Sequence, residues 1–513
     1  MHIAFYELVL GLFVKVALCR EYWPSLSAGA QLALRSQRDL GVNVSIDQLY
    51  SVGVNVDKVI GGDKSVNETQ SLMTLNNLLK VGVQSYVVDL NVSDPQNFML
   101  PSSNISFSTF LTAIRQYVSS SNNYLNANIL ILLLRPNFDT ASGSANSSFS
   151  SSPSQSSPLL SNMTAQLETS LGLSAIYTPS QLLSDRAQGI TVGFTGDYSK
   201  VGWPPLEYFL YKIQKRVLVA YVDSNVLDVL PSDYVFDGKS LNFQTSNITN
   251  SCPSSNTSEL AKVVENGWRF LESQFLPSDI REYVMCGYSP IISNHYTPQN
   301  ISDIADLLET SLPWSWAHKE PNSYDTSRSN STSLVARRCA VVHYVAANST
   351  SYWAVANCYD KRRTVCRHEK NNLDWRISKS NLNYFSTHDQ DDNDVCPENY
   401  TVGLPKSPLE ETALNSYLSE VGSEGLDAWI DMNSISVPDC WVAGGSYASC
   451  PYQKEVSSRS FVGFITPVSI FTAITLALLF FLTWRKVPIQ DNRKHWKKIV
   501  STHSTLQKEG VPS

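Results

Sequence analysis

Residues 72–90 read LMTLNNLLKVGVQSYVVDL, and this stretch contains the pattern that decides the fold. Residues 72–81 place apolar side chains at helical spacing, and Gly82 ends the predicted helix. Residues 83–90 then form a mostly apolar run of strand length. A helix followed directly by a buried strand is the repeating unit of a parallel α/β sheet.

The same alternation recurs towards the C-terminus. Two further pairs of a helical and a strand pattern lie at residues 107–118 and 129–134 and at residues 206–213 and 216–222. The run ILILLL suits a strand that is buried on both faces. Residues 20–290 are therefore predicted to form a closed TIM-type barrel, interrupted by a serine-rich loop at residues 140–161.

An uncharged run, FVGFITPVSIFTAITLALLFFLTW, occupies residues 461–484. About 20 apolar residues span a bilayer as a helix, so we expect a transmembrane helix here. The tail of residues 485–513 begins with Arg485 and Lys486 and is basic, which predicts that it is cytoplasmic. The preceding part of the chain is then lumenal or extracellular, as in a single-pass type I membrane protein.

Residues 1–19 resemble a signal peptide that ends in Ala17-Leu18-Cys19, although an uncleaved anchor is the alternative. Twelve Asn-X-Ser/Thr sequons precede the predicted span, and their density predicts a secretory glycoprotein. The sequon residues are Asn43, Asn67, Asn91, Asn104, Asn146, Asn162, Asn247, Asn256, Asn300, Asn330, Asn348 and Asn399.

Eight cysteines follow the predicted signal peptide, and none lies between residues 20 and 251. An even number in an oxidising compartment predicts four disulfides, although eight cysteines allow 105 connectivities. The barrel region must then be stabilised by its own core, while the later region is cross-linked. We expect the pairs Cys252–Cys286, Cys366–Cys396 and Cys440–Cys450 among the possibilities.

The net charge of −7 is small for 513 residues, and no basic stripe with aromatic residues occurs before the predicted span. Direct binding to nucleic acid is therefore not expected. No cofactor motif is found. The acidic run at residues 389–394 lacks the spacing and glycine of a calcium loop, so a solvated loop is favoured over loose calcium binding.

Residues 75–79 with 82–89, and Tyr177-Thr178-Pro179-Ser180 with residues 203–206 and 215–219, resemble the phospholipase-C-like phosphodiesterase barrels. That resemblance implies catalysis by two histidines acting as general base and general acid, one of them after the first strand. This chain has no histidine between His2 and His295. We therefore expect a pseudoenzyme without catalytic residues.

The place where the resemblance implies the first catalytic histidine reads Ser36-Gln37-Arg38-Asp39. Arg38 and Asp39 either hold a phosphate or form a structural ion pair with each other. The alternative to a pseudoenzyme is a phosphodiesterase or lipase-like enzyme with altered chemistry that uses Arg38, Asp39 and Asp89.

Residues 300–375 contain segments that resemble C-type lectin domains, at residues 316–322 and 353–358. The resemblance implies a disulfide between Cys339 and Cys358. It also implies calcium ligands, of which Glu320 and Asn322 are present. Ala354 and Val355 stand where an Asn-Asp pair would complete the cage, so neither a metal site nor calcium-dependent sugar binding is expected. Residues 376–460 are predicted to be a cysteine-containing juxtamembrane region.

The complete order is an α/β phospholipase-C-like TIM-type barrel, a disulfide-rich α+β C-type-lectin-like region and one transmembrane helix. With residues 35–43, 316–322 and 358–363, this order resembles the fungal maintenance of telomere capping protein 6 family. The resemblance implies a role in telomere capping. Because a membrane separates the predicted ectodomain from chromatin, that role is expected to be indirect. The first hypothesis is a non-catalytic membrane glycoprotein that binds an unknown protein or glycan, and the second is the enzyme described above.

Overall fold

The computed structural model describes most of the chain, and the positions below refer to those residues. They are 26–61, 67–92, 98–102, 105–137, 162–223, 226, 232–245, 257–265, 267–296, 303–322, 336–388, 395–422, 424–452, 458–486 and 492–508. The predicted signal peptide, the serine-rich loop and the acidic run at residues 389–394 lie outside them.

Among the described residues, eight strands form the first sheet. They are Gly53–Asn55 (β1), Ser85–Asn91 (β2), Leu130–Asn137 (β3), Ile176–Tyr177 (β4), Val217–Tyr221 (β5), Gln244–Thr245 (β6), Phe270–Ser273 (β7) and Ser289–Ile292 (β8). The helices in this part of the chain are Ala28–Leu40 (α1), Val56–Ile60 (α2), Glu68–Val81 (α3), Phe107–Ser120 (α4), Pro179–Ala187 (α5), Thr257–Glu265 (α6), Ile280–Met285 (α7) and Asp303–Ser311 (α8). Two π-helical turns lie at Leu167–Leu171 and Tyr208–Lys212.

The helix and strand predicted from residues 72–90 are confirmed as α3 and β2. Asn67 begins α3 by accepting a hydrogen bond from the backbone N–H of Gln70. Gly82 ends it with a φ of +105°, a left-handed conformation that glycine adopts without strain. The predicted pairs further along the chain are likewise found, as α4 with β3 and as the π-helical turn at Tyr208–Lys212 with β5.

All pairings in the first sheet are parallel, and the strand order is β4-β5-β3-β2-β1-β8-β7-β6. Alternate residues along each strand face opposite sides. One side packs against the helices. The other side, the interior face, buries Val87, Leu133, Phe270 and Ile291 in a separate apolar cluster. The predicted α/β fold with a barrel-like parallel sheet is thus confirmed.

The sheet differs from the predicted closed barrel, because no pairing joins β4 to β6 among the described residues. Each of these edge strands is only two residues long. Side chains fill the gap instead, as a series of aromatic contacts from β4 to β7. The ring centroids are 6.2 Å apart for Tyr177 and Phe236, 5.0 Å for Phe236 and Trp203, 4.7 Å for Trp203 and Trp268, and 6.1 Å for Trp268 and Phe270.

Six strands form the second sheet. They are Arg337–Val345 (β9), Thr350–Asn357 (β10), Arg363–His368 (β11), Trp375–Ile377 (β12), Tyr400–Val402 (β13) and Leu426–Asn433 (β14), with the helix Pro408–Val421 (α9) between the last two. The strand order is β10-β9-β14-β11-β12, and β13 pairs with β11. One large hydrophobic cluster contains residues of both sheets, so the two share a core.

The disulfides Cys339–Cys358, Cys366–Cys396 and Cys440–Cys450 are present, as predicted. Cys286 is also disulfide-bonded, but its predicted partner Cys252 lies outside the described residues. The structure does not test the proposed lectin-like character of residues 300–375, which stays a prediction.

Residues up to Tyr452 form one compact unit, and Gln453–Ser513 form a second. The described part of the second unit contains two helices, Ser458–Lys486 (α10) and Asn492–Lys508 (α11). Within α10, Ile465–Trp484 has a mean hydropathy of 2.2 and is fully unburied, so this helix is long and apolar enough to cross a membrane.

Candidate functional site

Four polar side chains lie towards the carboxyl ends of four strands of the first sheet. They are Asn55 on β1, Asp89 on β2, Arg135 on β3 and Glu272 on β7. Asp89 and Arg135 are register partners, and each follows an interior residue of its strand by two positions. The four side chains therefore share the interior face, one layer beyond the apolar filling. Carboxyl ends of parallel strands are where barrel folds place their functional groups.

Asn55 lies at the centre of the group. Its Nδ2 donates to Asp89 Oδ2 at 2.9 Å and to Glu272 Oε1 at 2.8 Å. Its Oδ1 accepts the backbone N–H of Lys58, at the start of α2. Lys58 Nζ donates to Glu272 Oε1 at 3.1 Å. Asn55, Lys58, Asp89, Arg135 and Glu272 together are called the mouth cluster below.

Arg135 contacts both carboxylates of the mouth cluster. It donates to Asp89 Oδ1 at 3.0 Å and to Glu272 Oε2. All four carboxylate oxygens of the cluster thus accept at least one hydrogen bond. Two carboxylates balance two cations, which gives the cluster no net formal charge.

Burial and charge pairing act in opposite directions on the pKa values in this cluster. The Glu272 side chain is 3% exposed. Burial acts to raise its pKa, but the hydrogen bond and charge of Arg135, with Asn55 and Lys58, lower it below the ordinary value. Burial acts to lower the pKa of Arg135, but Glu272 and Asp89 raise it. Glu272 and Arg135 therefore both stay charged at neutral pH.

A general acid or base works best when its pKa lies near the working pH. In the mouth cluster, the pKa values of Glu272 and Arg135 are both moved away from neutrality. Asn55, at the end of the first strand, has an amide that cannot take up a proton at neutral pH. The arrangement holds charges in fixed positions, but it lacks a histidine that could transfer protons.

Of the three residues predicted for the enzyme alternative, the structure brings only Asp89 to this site. Arg38 and Asp39 lie near the end of α1 and form the predicted structural ion pair, with an N–O distance of 2.8 Å. Arg38 also donates to the carbonyl oxygens of Leu125 and Ala127, just before β3. At 3.3 Å per strand residue, Arg135 lies about 16 Å from Leu130, and Ala127 precedes Leu130 in the chain. A common site for Arg38, Asp39 and Asp89 is therefore wrong.

The donors of Arg38 are all occupied, because the guanidinium also contacts the carbonyl oxygen of Tyr124, the carboxylate of Asp39 and, at 2.6 Å, the hydroxyl of Tyr452. The Tyr452 hydroxyl in turn donates to Asp39. Arg38 has no donor left for a phosphate, so the pair is structural. The position of the implied histidine at residues 36–39 is likewise corrected, since these residues precede the first strand.

Sequence reasoning missed Asn55, Lys58, Arg135 and Glu272. A signal was present for Arg135, because it directly follows the apolar run of β3, as Asp89 follows that of β2. A polar residue at the end of a buried strand is a candidate for a site at that edge of a parallel sheet.

Glu320 and Asn322 lie in a loop after α8, where the Glu320 carboxylate accepts the backbone N–H of Asn322 at 2.7 Å. Ala354 and Val355 pair with Val341 and Ala340 inside the second sheet. No group of three or more histidine, cysteine, aspartate or glutamate side chains that could hold a metal occurs in the described part of the chain.

The exposure of six sequons can be stated. Asn43, Asn67, Asn348 and Asn399 are exposed, while Asn91 and Asn162 are half-buried. The remaining six lie outside the described residues; they are Asn104, Asn146, Asn247, Asn256, Asn300 and Asn330.

Comparison with known proteins adds a family and several relatives. The family described as "MTC6 partial TIM-barrel domain" matches residues 24–314. A protein of Lachancea thermotolerans is 49% identical over 99% of both chains. One of Zygosaccharomyces rouxii is 40% identical over 96% of this chain and 93% of its own. One of Saccharomyces cerevisiae (strain S288c) is 36% identical over the same shares. All three are named "Maintenance of telomere capping protein 6".

Solved structures show a much weaker similarity. A phosphatidylinositol-specific phospholipase C of Staphylococcus aureus has a TM-score of 0.31 and 10% identity, over 56% of this chain and 99% of its own. The S. officinalis protein PLC21 has a TM-score of 0.28 and 9% identity, over 65% of this chain and 43% of its own. At these scores neither structure indicates an activity for this chain.

Proposed function

The chain belongs to the maintenance of telomere capping protein 6 family, and from this premise we propose that it is a non-catalytic membrane glycoprotein that affects telomere capping indirectly. In this proposal, α10 spans a membrane once. The unit that contains both sheets is lumenal or extracellular and binds a protein or glycan partner, and the tail after α10 is cytoplasmic.

The non-catalytic assignment is carried by one observation, which is that the carboxylates of the mouth cluster accept hydrogen bonds from the other side chains of the same cluster. Asn55 donates one amide proton to Asp89 and the other to Glu272, and Arg135 donates hydrogen bonds to the same two carboxylates. A catalytic group needs a free face towards its substrate and a pKa suited to proton transfer. The pKa shifts of Glu272 and Arg135 both oppose that requirement.

Hydrolysis assays test this assignment. The purified full-length chain is offered phosphatidylinositol in mixed micelles and a soluble phosphodiester. We expect turnover no greater than that of a matched Asp89→Asn variant, whose near-UV circular dichroism reports whether it is folded. Turnover by the wild type that is lost in Asp89→Asn would instead support the second candidate, a phosphodiesterase or lipase-like enzyme of the secretory lumen. The mouth cluster favours testing Asp89 in place of Asp39.

The proposed topology is supported by the apolar length of α10 and by the exposure of four sequons before it. Sealed microsomes provide the test. We expect glycosidase to lower the apparent mass of the chain, and added protease to remove only a tag on the C-terminus. An unglycosylated chain whose first unit is digested by the added protease would reverse the topology.

An indirect role follows from this topology. A lumenal unit is separated from chromatin by the membrane, and the tail has no recognisable DNA-binding pattern. Its influence on telomeres would then pass through glycoprotein traffic, lipid composition or the nuclear envelope. Crosslinking in intact membranes should recover a protein partner, and a glycan panel should reveal a sugar partner. Recovery of telomeric DNA crosslinked directly to the chain would contradict an indirect role.

A further inference from the structure

Helix α11, at residues Asn492–Lys508, has one apolar face with no partner in the described part of the second unit. Its sequence is NRKHWKKIVSTHSTLQK. Trp496, Ile499, Val500 and His503 follow the spacing i, i+3, i+4, i+7, which places them on one side of a helix. Trp496, Ile499 and Val500 are 60%, 37% and 62% exposed. Isolated apolar side chains are common on surfaces, but a continuous helical face of them indicates a binding surface.

The other side of α11 is cationic. Lys494, Lys497 and Lys498 fall outside the apolar spacing, and all three are exposed. Residues 492–508 contain five lysine or arginine residues and no aspartate or glutamate. A helix with an apolar face, a lysine-rich opposite face and low net hydrophobicity is typical of helices that lie in a membrane interface.

The position of α11 in the chain brings it to such an interface. Five residues, 487–491, separate the end of α10 from the start of α11. A fully extended chain covers at most about 3.6 Å per residue, so α11 begins within about 20 Å of the end of α10. If α10 spans the membrane, α11 begins beside the headgroups of one leaflet.

We propose that α11 lies flat on the membrane that α10 crosses, in a leaflet that contains anionic lipid. Trp496, Ile499 and Val500 insert among the upper acyl chains, and the three lysines contact the headgroup phosphates. The inference rests on the proposed membrane anchoring by α10. A lipid surface is favoured over the groove of a partner protein because the tether already holds the helix at the interface. The uniform positive charge complements anionic lipid, and tryptophan is enriched at this depth.

The test uses the full-length chain reconstituted into phosphatidylcholine vesicles with and without phosphatidylserine. A single added cysteine that carries an environment-sensitive fluorophore is placed at Val500→Cys, and the matched control is Ser501→Cys, at an exposed residue outside the apolar spacing that leaves the three lysines in place. Labelling is done without reductant, so that native disulfides are kept. In vesicles with phosphatidylserine, we expect the label at 500 to shift to the blue and to resist an aqueous quencher. The label at 501 should stay accessible.

A charge variant tests the electrostatic part. Each cation near an anionic surface strengthens binding by a factor of about five, so Lys494→Gln, Lys497→Gln and Lys498→Gln together weaken it by about one hundredfold. We expect the label at 500 to lose its protection in this variant, while the chain still resists carbonate extraction.

Each remaining outcome has a distinct meaning. Extraction of the wild type by carbonate would refute the membrane anchoring itself. Equal quencher access at 500 and 501 in an anchored chain would refute only the docking of α11. Protection at 500 in native membranes but not in protein-free vesicles would show that a protein groove covers the face, which also overturns the inference.

Discussion

Glu272→Gln is the substitution that tests most directly how the mouth cluster is held together. It keeps the shape of the side chain but removes its charge. Glu272 accepts hydrogen bonds from Asn55 and Lys58 on one oxygen and from Arg135 on the other. In glutamine, one of these two positions becomes an NH₂ group, which then meets another donor. The substitution therefore leaves Arg135 with Asp89 as its remaining carboxylate partner.

The magnitude follows from burial. Breaking a buried ion pair by removing one partner costs about 3 to 5 kcal/mol. The Arg135 side chain is 19% exposed and retains Asp89 at 3.0 Å, so we expect the lower end, about 3 kcal/mol. The Lys58 side chain is 39% exposed, and its contact with Glu272 resembles a surface pair worth less than about 1 kcal/mol.

The assay is urea unfolding of a fragment of residues 20–460, followed by tryptophan fluorescence. Glu272→Gln should lower the free energy of unfolding by about 3 kcal/mol without changing the denaturant slope. Lys58→Met is the matched control, with a loss below about 1 kcal/mol. A double-mutant cycle with Arg135→Met should show that the two large losses are not additive, since both variants break the same pair.

The dependence on pH gives a second check on the same variant. The pKa of Glu272 is lowered in the folded chain. Its contribution to stability is therefore present above its ordinary pKa of 4.5 and is lost as the pH falls through its pKa in the folded state. The difference between wild type and Glu272→Gln should therefore shrink in acid. A variant within about 0.5 kcal/mol of the wild type at pH 7, or more stable than it, would refute the charge-balanced description of the cluster.

Three further predictions concern the second sheet and its helix. Burial raises the pKa of Glu410 to about 7, so the stability of the wild type should fall as the pH rises from 4.5 to 7. Glu410→Gln should remove this fall, which is measured by comparing the urea midpoints of the two proteins across pH. Burial acts to lower the pKa of His388, but the hydrogen bond to Asp431 raises this pKa above its ordinary value of 6.5. The contribution of His388 to stability is therefore complete below pH 6.5 and is lost as the pH rises through the pKa of the folded state. His388→Gln should thus cost more stability in acid than in base, and an equal cost at both would contradict a charged pair. Replacing Cys339 and Cys358 by serine opens a link between residues 19 apart and should cost about 3 kcal/mol in thermal unfolding, whereas an unchanged transition would show that the sheet alone orders this region.

Local patterns in the sequence were sufficient for the helices and strands that precede the mouth cluster. The periodicity of residues 72–81 and the apolar run at 129–134 involve neighbouring residues only, and both elements are found as α3 and β3. The site itself depends on residues from Asn55 to Glu272, which come together only through strand register. β1 is three residues long, too short for a periodic signal, and the resemblance to phosphodiesterase barrels placed the position after the first strand at residues 36–39.

For a related reason, the sequence could not show whether the sheet closes into a barrel. Strands β4 and β6 contain two residues each, and whether such short segments pair depends on what fills the space between them. Here Trp203, Phe236 and Trp268 come from segments outside the strands, and no local pattern marks them as interior residues. The disulfides were predicted on different grounds, because the pair Cys339–Cys358 was implied by the resemblance to C-type lectin domains, whereas Cys440 and Cys450 are 10 residues apart and close enough to bridge a loop.

Tyr452 lies at the amino-terminal end of the first sheet, and the mouth cluster lies at its carboxyl-terminal end. Tyr452, the last residue of that unit, contacts Arg38 and Asp39 on α1, beside the segment that precedes β3. Arg135 of the mouth cluster lies about 16 Å along β3 from Leu130, the first residue of that strand. A partner that binds at the mouth cluster would not compete with the contacts of Tyr452, and a loss of those contacts would not alter the mouth cluster. Tyr452→Phe should accordingly increase proteolysis near residue 450 while leaving the unfolding behaviour of Glu272 variants unchanged, and a coupled change in both would show that the two ends of the sheet are not independent.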